Sequence, residues 1–583
     1  MADSEISAIA PPADVARAWI AGFAEALASG DVGAIADRLV DDAWWRDVVA
    51  LTWDIRSLHG REDVERFLGQ AAAPDRIRDL DDAGLPEPAL VDGGPNSQYV
   101  EAFFGFRTDL GGGIGVARLV EAEPGRWRAW TLMTALRELD GYELAVGPNR
   151  ERHPARREIA PPTSRRGRGF IDADPEVLIV GAGQAGLGLA AHLRLMGVPT
   201  LVIERNARIG DNWRNRYDAL VLHDPVWANS LPFMPFPDSW PVYMRKDKIA
   251  DWFENYVSAM EIDAWTDIEL LDATYSESER IWTARLRLGE GEERTLRPRQ
   301  LVMATGTLTE PNRPEFPDEH KFGGTAIHSS RFRAGEEWRE KRAVVIGVCN
   351  SGQDLARDLV AHGAEVTLLQ RSPVYVYSQE RGLPLMLGGV YAEGGPPTGI
   401  ADLMTLATPN PVLLEIGDEL AKAQRQVDAE MLVGLEGRGF LVDDGVGKGG
   451  PFGFALRRGG GFVLDVGTSK QIVDGSIAIA TGSVARFTER GLMLDSEVEL
   501  EADLVVFATG YKNMRESARA IFGDAVADRC GDVWGLDEEG ELRSIWRPSG
   551  HPGFWFTGGN LLNARIFSRY LALQIAAALE GIA

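Results

Sequence analysis

The chain has 583 residues, too many for a single hydrophobic core, so two or three domains are expected. Its composition, 45% hydrophobic and 25% charged, is that of an ordinary globular protein, while 61 basic against 87 acidic side chains leave a formal charge of −26. That balance argues against a nucleic-acid partner and against electrostatic attachment to anionic membranes, and it obliges any anionic cofactor to find a locally positive site.

The first residues, MADSEISAIAPPADVARAW, lack both a basic start and a long apolar run, so no signal peptide is read. No apolar stretch reaches membrane-spanning length. Two cysteines, Cys349 and Cys530, stand far apart and outside any CxxC pair. They exclude a disulfide framework, give no metal site, and fit a cytoplasmic location.

After Pro12, Val15, Trp19, Phe23 and Leu27 recur every four residues, the stripe of an amphipathic helix. The stretches AWWRDVVALTWDIRSLHG, FFGFRTDLGGGIGVARLVEA and RWRAWTLMTAL then read as strands around glycine turns, an α+β domain with a curved sheet. WWRDVVALTWD followed by HGREDVERFL resembles the SnoaL-like cone-shaped fold over roughly residues 12–144. Arg46, Asp47, Asp54 and His59 could line a pocket in such a cone, but they form no recognisable catalytic pair. A packing or homodimerisation role is therefore the simpler expectation for residues 12–149. Residues 150–169, RERHPARREIAPPTSRRGRG, carry seven arginines and three prolines and read as an exposed linker.

From there strand and helix patterns alternate to the end, which predicts parallel α/β layers. Val177–Val180 runs into Gly181-Ala-Gly183-Gln-Ala-Gly186, a helical pattern follows, and the next strand ends at Glu204, eighteen residues past Gly186. Gly181 permits the tight turn, Gly183 lets backbone approach a pyrophosphate, and Gly186 lets helix and strand pack closely. The diphosphate meets the positive end of the helix, beside Gln184 and Ala185, and Glu204 takes the ribose hydroxyls.

A second copy of the unit follows at AVVIGVCNSGQDLARDLVAHGAEVTLLQRS, with Gly347, Cys349 in place of the middle glycine, and Gly352. Asn350 and Ser351 stand at the helix start. Arg371 and Ser372, just past the second strand, favour a 2′-phosphate and hence NADPH, with NADH tolerated. Two further strands end alike, LVMATG at Thr305 and Gly306 and LVVFATGY at Thr509, Gly510 and Tyr511, where small residues let backbone pass close to a cofactor. Two such folds describe a flavoprotein, with FAD in the first half and a nicotinamide cofactor in the second. Disulfide reductases of this plan need a redox cysteine pair, which the chain lacks.

The remaining motifs resemble the class B flavin-containing monooxygenases, YUCCA-type members included, over most of residues 175–583. Phe322, Gly324, His328 and Phe332 fit the fingerprint FxGxxxHxxx(Y/F). IGDNWRNRYDAL fits the tryptophan–arginine stretch after the ribose acid, and LVLHDPVWANSLPFMPFP places His223 where the family sets a polar residue beside the flavin ring. FATGY is a further motif of the family.

The resemblance implies that NADPH reduces FAD and that dioxygen adds at flavin C4a as a (hydro)peroxide. One oxygen atom then enters a small lipophilic substrate, by Baeyer–Villiger oxidation of a ketone or by oxygenation of sulfur or nitrogen. It assigns His223 and Asp224 to the neighbourhood of the activated oxygen, His328 to the coupling of the two halves, and Asn350 and Ser351 to the nicotinamide cofactor. Arg205, Asn212, Trp213, Gly559, Asn560 and Asn563 fall to FAD. The expected divisions are residues 170–321 for the first part of the FAD domain, 322–500 for the NADP domain with a pocket-forming insertion, and 501–583 for the return to the FAD domain. The alternative from a different class is an uncoupled NADPH oxidase, or a flavin-binding sensor whose SnoaL-like domain takes the ligand.

Overall fold

The computed structural model describes residues 10–70, 77–82, 84–95, 98–150, 170, 172–289, 291–307 and 309–583. The expected linker at 150–169 lies outside them apart from Arg150.

Helix α1 (Pro12–Ser29) begins at a proline, whose missing N–H would have had no helical partner there, and ends at Gly30 in the left-handed conformation. Val15, Trp19, Phe23 and Leu27 are all buried. Trp19 stacks on Phe23 at 4.8 Å, and Phe23 meets the rings of Trp45 and Phe104 at 6.0 and 6.2 Å. Those last two belong to a seven-stranded sheet of β1 (Leu39–Val48), β2 (Ile55–His59), β3 (Arg78–Asp81), β4 (Ala89–Asp92), β5 (Gln98–Arg107), β6 (Gly112–Glu123) and β7 (Arg126–Leu136). The order is β2-β1-β7-β6-β5-β3 with β4 also on β5, and every pair is antiparallel except β1 with β7. Helices α2 (Val32–Ala36) and α3 (Gly60–Gln70) lie beside α1 and β1.

Successive side chains of a strand face opposite ways, and β1 buries both faces at its end. Trp45 points to α1 and donates from Nε1 to Thr134 Oγ1 at 3.0 Å. Asp47, on the same face, accepts from Leu51 N, Thr52 N, Thr52 Oγ1 and Thr134 Oγ1 at 3.1–3.2 Å. Arg46 between them faces the rest of the chain. The four residues considered as pocket lining therefore diverge. Asp54 takes a guanidinium fork from Arg547 at 2.7 and 2.9 Å, and His59 stacks on Trp44 at 4.1 Å.

Burial pushes the Asp47 carboxyl up to about 7, outweighing its four hydrogen bonds. Its folded pKa thus exceeds its unfolded one. The folded state holds the proton more tightly, so this contribution to stability is complete below the unfolded pKa and is lost as pH rises through about 7. Asp47→Asn should flatten that decline when the thermal midpoint is followed across the same pH range. An unchanged slope would assign it to other groups.

Short buried apolar runs build the remaining layers. A five-stranded parallel sheet runs Ala264–Thr266, Thr200–Glu204, Val177–Val180, Gln300–Met303, Phe554–Phe556. A second runs Thr325–His328, Leu504–Phe507, Arg342–Ile346, Glu365–Gln370, Ile477–Thr481, again all parallel. Leu504–Phe507 is thus interior to the second sheet, past the boundary expected at residue 500, and the chain rejoins the first half only after it. The insertion of the second half, from Gly382 to Gly461, is mainly helical, including Thr398–Leu406 and Asn410–Val427. One apolar core runs through the N-terminal sheet and the first half, and the second half has its own. No helix among the described residues is long and apolar enough to cross a membrane.

Candidate active site at two dinucleotide cradles

Gly181 stands at φ 112°, and a Cβ there would lie 2.6 Å from the Ala304 carbonyl oxygen, so the turn requires glycine. A Cβ on Gly186 would lie 2.0 Å from the Gly181 oxygen, which shows how closely helix Gln184–Leu195 approaches the strand. Glu204, 7% exposed, accepts from Ala182 N at 3.0 Å through Oε2, and from Asn206 N and Nδ2 at 2.9 and 2.6 Å through Oε1. Each oxygen has two lone pairs, so Oε2 keeps one for a ribose hydroxyl. Gln184 Nε2 donates to Gly559 O at 2.9 Å, tying this loop to the N-terminus of the last helix, Leu561–Glu580. Asn212 reaches within 3.3 Å of the space a Gly183 side chain would fill. Three buried polar atoms on these converging segments, Trp213 Nε1, Thr305 Oγ1 and Thr557 Oγ1, have no protein partner. A site built around a polar ligand leaves such atoms unpaired. Arg205 and Gly306 complete the two strand ends.

The second unit repeats the close approaches. Gly347 has φ 107° with a Cβ position 2.4 Å from Ala508 O, and that of Gly352 is 2.0 Å from Gly347 O. Cys349 adopts φ −75°, ψ −176°, nearly the −83°, −175° of Gly183. The substitution therefore costs no backbone strain and acts only by occupying space. Burial pushes the Cys349 thiol above its ordinary range, away from nucleophilic use. Asn350 Oδ1 accepts from Leu464 N at 2.9 Å, so its side chain fastens the helix to the neighbouring strand, while Ser351 is half-buried beside it.

Gln370 occupies the place that Glu204 has in the first unit, twenty-three residues past the opening glycine. It is fully buried and bonded to both the N–H and the carbonyl of Leu441, at 2.8 and 2.7 Å. No carboxylate stands there. Arg371 and Ser372 follow it at the surface.

Between the halves lies the fingerprint. Phe322 packs on Phe487 at 5.4 Å, Gly324 passes so near Asp503 that a Cβ would fall 2.4 Å from its carbonyl oxygen, and Phe332 is buried in the second core. His328 Nδ1 accepts from Ser330 N at 3.1 Å, which puts the proton on Nε2, donated to Gly510 O at 3.0 Å. Burial keeps its pKa below the usual histidine value, so the ring is neutral. Tyr511 sits edge-on to it at 5.2 Å, and Thr509 Oγ1 donates to Asn312 O on the segment returning from the first half. His328 thus pins the crossing of the two halves.

His223 Nε2 faces Asp354 Oδ2 at 3.2 Å, and Tyr217 Oη donates to the same oxygen at 2.7 Å. Burial disfavours the imidazolium, yet the bond and charge of Asp354, with Asp224 next along, hold its pKa above the ordinary value. Burial raises the Asp224 carboxyl in turn, and Asn560 Nδ2 donates to it at 3.4 Å. Asn560 Oδ1 caps the last helix by accepting from Asn563 N at 2.9 Å. One loop therefore joins the second dinucleotide helix, through Asp354, to the start of the last helix, through Asn560. Asp354 and Tyr217 escaped the sequence reading. The available signal was a pair of polar residues, Gln353-Asp354, on the buried stripe of a nucleotide-unit helix.

Residues 178–381 match the family described as pyridine nucleotide-disulphide oxidoreductase. Indole-3-pyruvate monooxygenase YUCCA1 of Oryza sativa subsp. japonica is 33% identical over 340 residues, 58% of this chain and 77% of that protein. YUCCA8 of Oryza sativa subsp. indica is 30% identical over 412 residues, 68% of this chain and 90% of its own length. The chain belongs to the YUCCA-type flavin monooxygenases. Among solved structures, cyclohexanone monooxygenase bound to ε-caprolactone shares the fold at a TM-score of 0.51 and 17% identity, over 70% of this chain and 88% of that one. Steroid monooxygenase bound to NADP does so at 0.50 and 18%, over 70% and 85%. This monooxygenase is an NADPH- and FAD-dependent enzyme that inserts one oxygen atom from dioxygen into a small organic substrate.

Proposed function

We propose that FAD lies in the first cradle and NADPH in the second, and that the substrate is a small lipophilic ketone. In balance, substrate, dioxygen, NADPH and a proton give oxygenated product, NADP+ and water. FAD supplies the oxygen activation and NADPH the hydride, and this chain's residues bind, orient and exclude water. The single observation that carries the reading is the loop of His223 and Asp224, held to the second cradle by Asp354 and to the first by Asn560. The His223 imidazole, its pKa held above the ordinary value by Asp354, is suited to hold and release a proton in that loop. A carbonyl substrate is supported by relatives named for indole-3-pyruvate, itself a 2-oxo acid.

The composition supports a cytoplasmic setting. The seven-stranded sheet with α1 across it supports a SnoaL-like origin for the N-terminal domain, whose exposed edge strands β3 and β4 are the ones left for a second copy.

Holoenzyme supplied with NADPH, a ketone panel and isotope-labelled dioxygen should place one labelled atom in the product. Hydrogen peroxide equal to the NADPH consumed, with no label in any product, would replace this reading by an NADPH oxidase.

Two variants probe the assignments. Arg371→Ala should raise the KM for NADPH by about tenfold, the worth of one charge-assisted bond, and leave that for NADH unchanged. Equal effects on both cofactors would remove Arg371 from the 2′-phosphate. His328→Ala should retain FAD but release the Gly510 loop, and the fraction of NADPH lost to hydrogen peroxide should rise. Unchanged coupling would leave His328 with a purely structural part.

A further inference from the structure

The loop that carries His223 and Asp224 continues through Ser230 without entering a strand or helix, and Ala228, Asn229 and Ser230 are buried. Buried carbonyls outside a ladder must find a donor elsewhere. Here the donor is Arg565 of the last helix, whose Nη1 donates to Ala228 O at 2.7 Å and Ser230 O at 2.9 Å. Between those carbonyls, Asn229 Nδ2 donates back to Asp224 O at 2.7 Å. The guanidinium therefore reaches the backbone of Asp224 through one intervening side chain. Asn560, at the start of the same helix, donates to the Asp224 carboxylate at 3.4 Å. Main chain and side chain of Asp224 are thus both held from one helix.

The rest of the guanidinium faces the insertion. Nε and Nη2 of Arg565 fork onto Asp402 at 2.8 and 2.7 Å, and Tyr391 Oη donates to the same carboxylate at 2.8 Å. Asp402 belongs to helix Thr398–Leu406. A helix ends with unpaired carbonyls and partial negative charge, which cations satisfy. The cations here come from the N-terminal sheet: Arg118 Nη2 donates to Met404 O at 2.9 Å and Arg46 Nη1 to Leu406 O at 2.8 Å. Glu101 fixes Arg118 in turn, at 3.0 Å. One continuous set of hydrogen bonds runs from the N-terminal sheet, through one helix and one guanidinium, to the loop between the two cradles.

A buried ion pair adds little net stability over apolar side chains of similar volume. What the planar fork of Arg565 adds is direction, since it meets a carboxylate on one side and two carbonyls on the other. A lysine would keep the charge and lose that geometry.

We propose that Arg565 is a positioning residue of the monooxygenase, fixing the loop of His223 and Asp224, and that the N-terminal domain braces it through Arg118, Arg46 and Asp402. This rests on the reading of that loop given above.

His223 reports where the loop stands. Asp354 faces it at 3.2 Å with Tyr217 on the same carboxylate oxygen, Asp224 is its neighbour in the chain, and Arg357 lies one turn past Asp354. Against the burial that disfavours the imidazolium, Asp354 and Asp224 hold its pKa above the ordinary value, with Arg357 acting the other way. A loop displaced by about 1 Å loses the Asp354 bond. The titration of His223 then moves down toward the ordinary histidine value.

The test uses full-length holoenzyme and two readouts. One is the titration of His223 by NMR on histidine-labelled protein, its signal assigned with His223→Gln. The other is the rate of labelled product from a ketone and isotope-labelled dioxygen. Arg565→Lys should shift the titration downward and slow labelled product about tenfold or more, with FAD content and the rate of flavin reduction by NADPH unchanged. Asn229→Ala, which removes one bond and adds no bulk, should act in the same direction, and it decides the matter if Arg565→Lys does not retain FAD. Wild-type titration and product rate in the deciding variant would overturn the proposal. Arg118→Met paired with Glu101→Gln removes the brace without leaving a lone charge. It should give the same two changes at about threefold in rate, and add nothing further to Arg565→Lys, because both act through Asp402. Wild-type behaviour of that pair would overturn the part given to the N-terminal domain. No labelled product from the wild type would overturn the oxygenase reading, while the His223 titration would still judge the loop, so the two failures are distinct.

Discussion

Glu541→Ala should lower the stability of the joined N-terminal and FAD units by about 3–5 kcal/mol, the usual cost of stripping one partner from a buried ion pair. Glu541 is 2% exposed and Arg46 3%. Oε2 accepts from Arg46 Nη2 at 2.7 Å and Asn410 Nδ2 at 3.3 Å, while Oε1 accepts from Ser57 Oγ at 2.6 Å. Truncation leaves a guanidinium in a dry interface with only the Leu406 and Thr408 carbonyls for company. The double replacement Arg46→Met with Glu541→Leu removes both charges and should recover most of the loss, since apolar groups of similar volume pack well in such places. Thermal unfolding of the three proteins decides it. Equal midpoints for single and double variants would mean that the pair contributes through shape alone.

Gly186→Val should yield a protein without FAD. The added Cβ would begin 2.0 Å from the Gly181 oxygen, backbone against backbone, so helix Gln184–Leu195 must move off the strand that aims its N-terminus at the diphosphate. Gly183→Ala makes the contrast. Its nearest neighbour would be Asn212 Nδ2 at 3.3 Å, the end of a side chain that can turn aside. That variant should fold normally and bind FAD more weakly. Flavin absorbance after purification, with and without added FAD, separates the two. Wild-type flavin content in Gly186→Val would contradict the packing argument.

The parts legible in advance share a property: the residues that define them are near one another in the chain. The α1 stripe, the glycine loops, Glu204 at its strand end, and the paired ATG strand ends are local patterns with local causes. The resemblance to flavin monooxygenases rested on such patterns too, and similarity to the YUCCA enzymes confirmed it. Harder to read were positions whose meaning depends on a partner hundreds of residues away. Arg46 looked like a cone-lining residue, yet β1 turns it outward onto Leu406 and Glu541. Asn350 looked free for a phosphate, yet Leu464 N holds it. Asp354 drew no notice, although it joins His223 to the second helix.

Periodicity and glycine spacing alone were enough for two dinucleotide folds, because turn geometry and helix–strand packing act within about thirty residues. Which side chains of the two halves meet, and that the N-terminal sheet packs Arg46 against Leu406 and Glu541, depended on how separate units bury their faces against each other. Buried charges pair across that contact because water is excluded there, and no local pattern in the chain specifies which carboxylate a guanidinium will find.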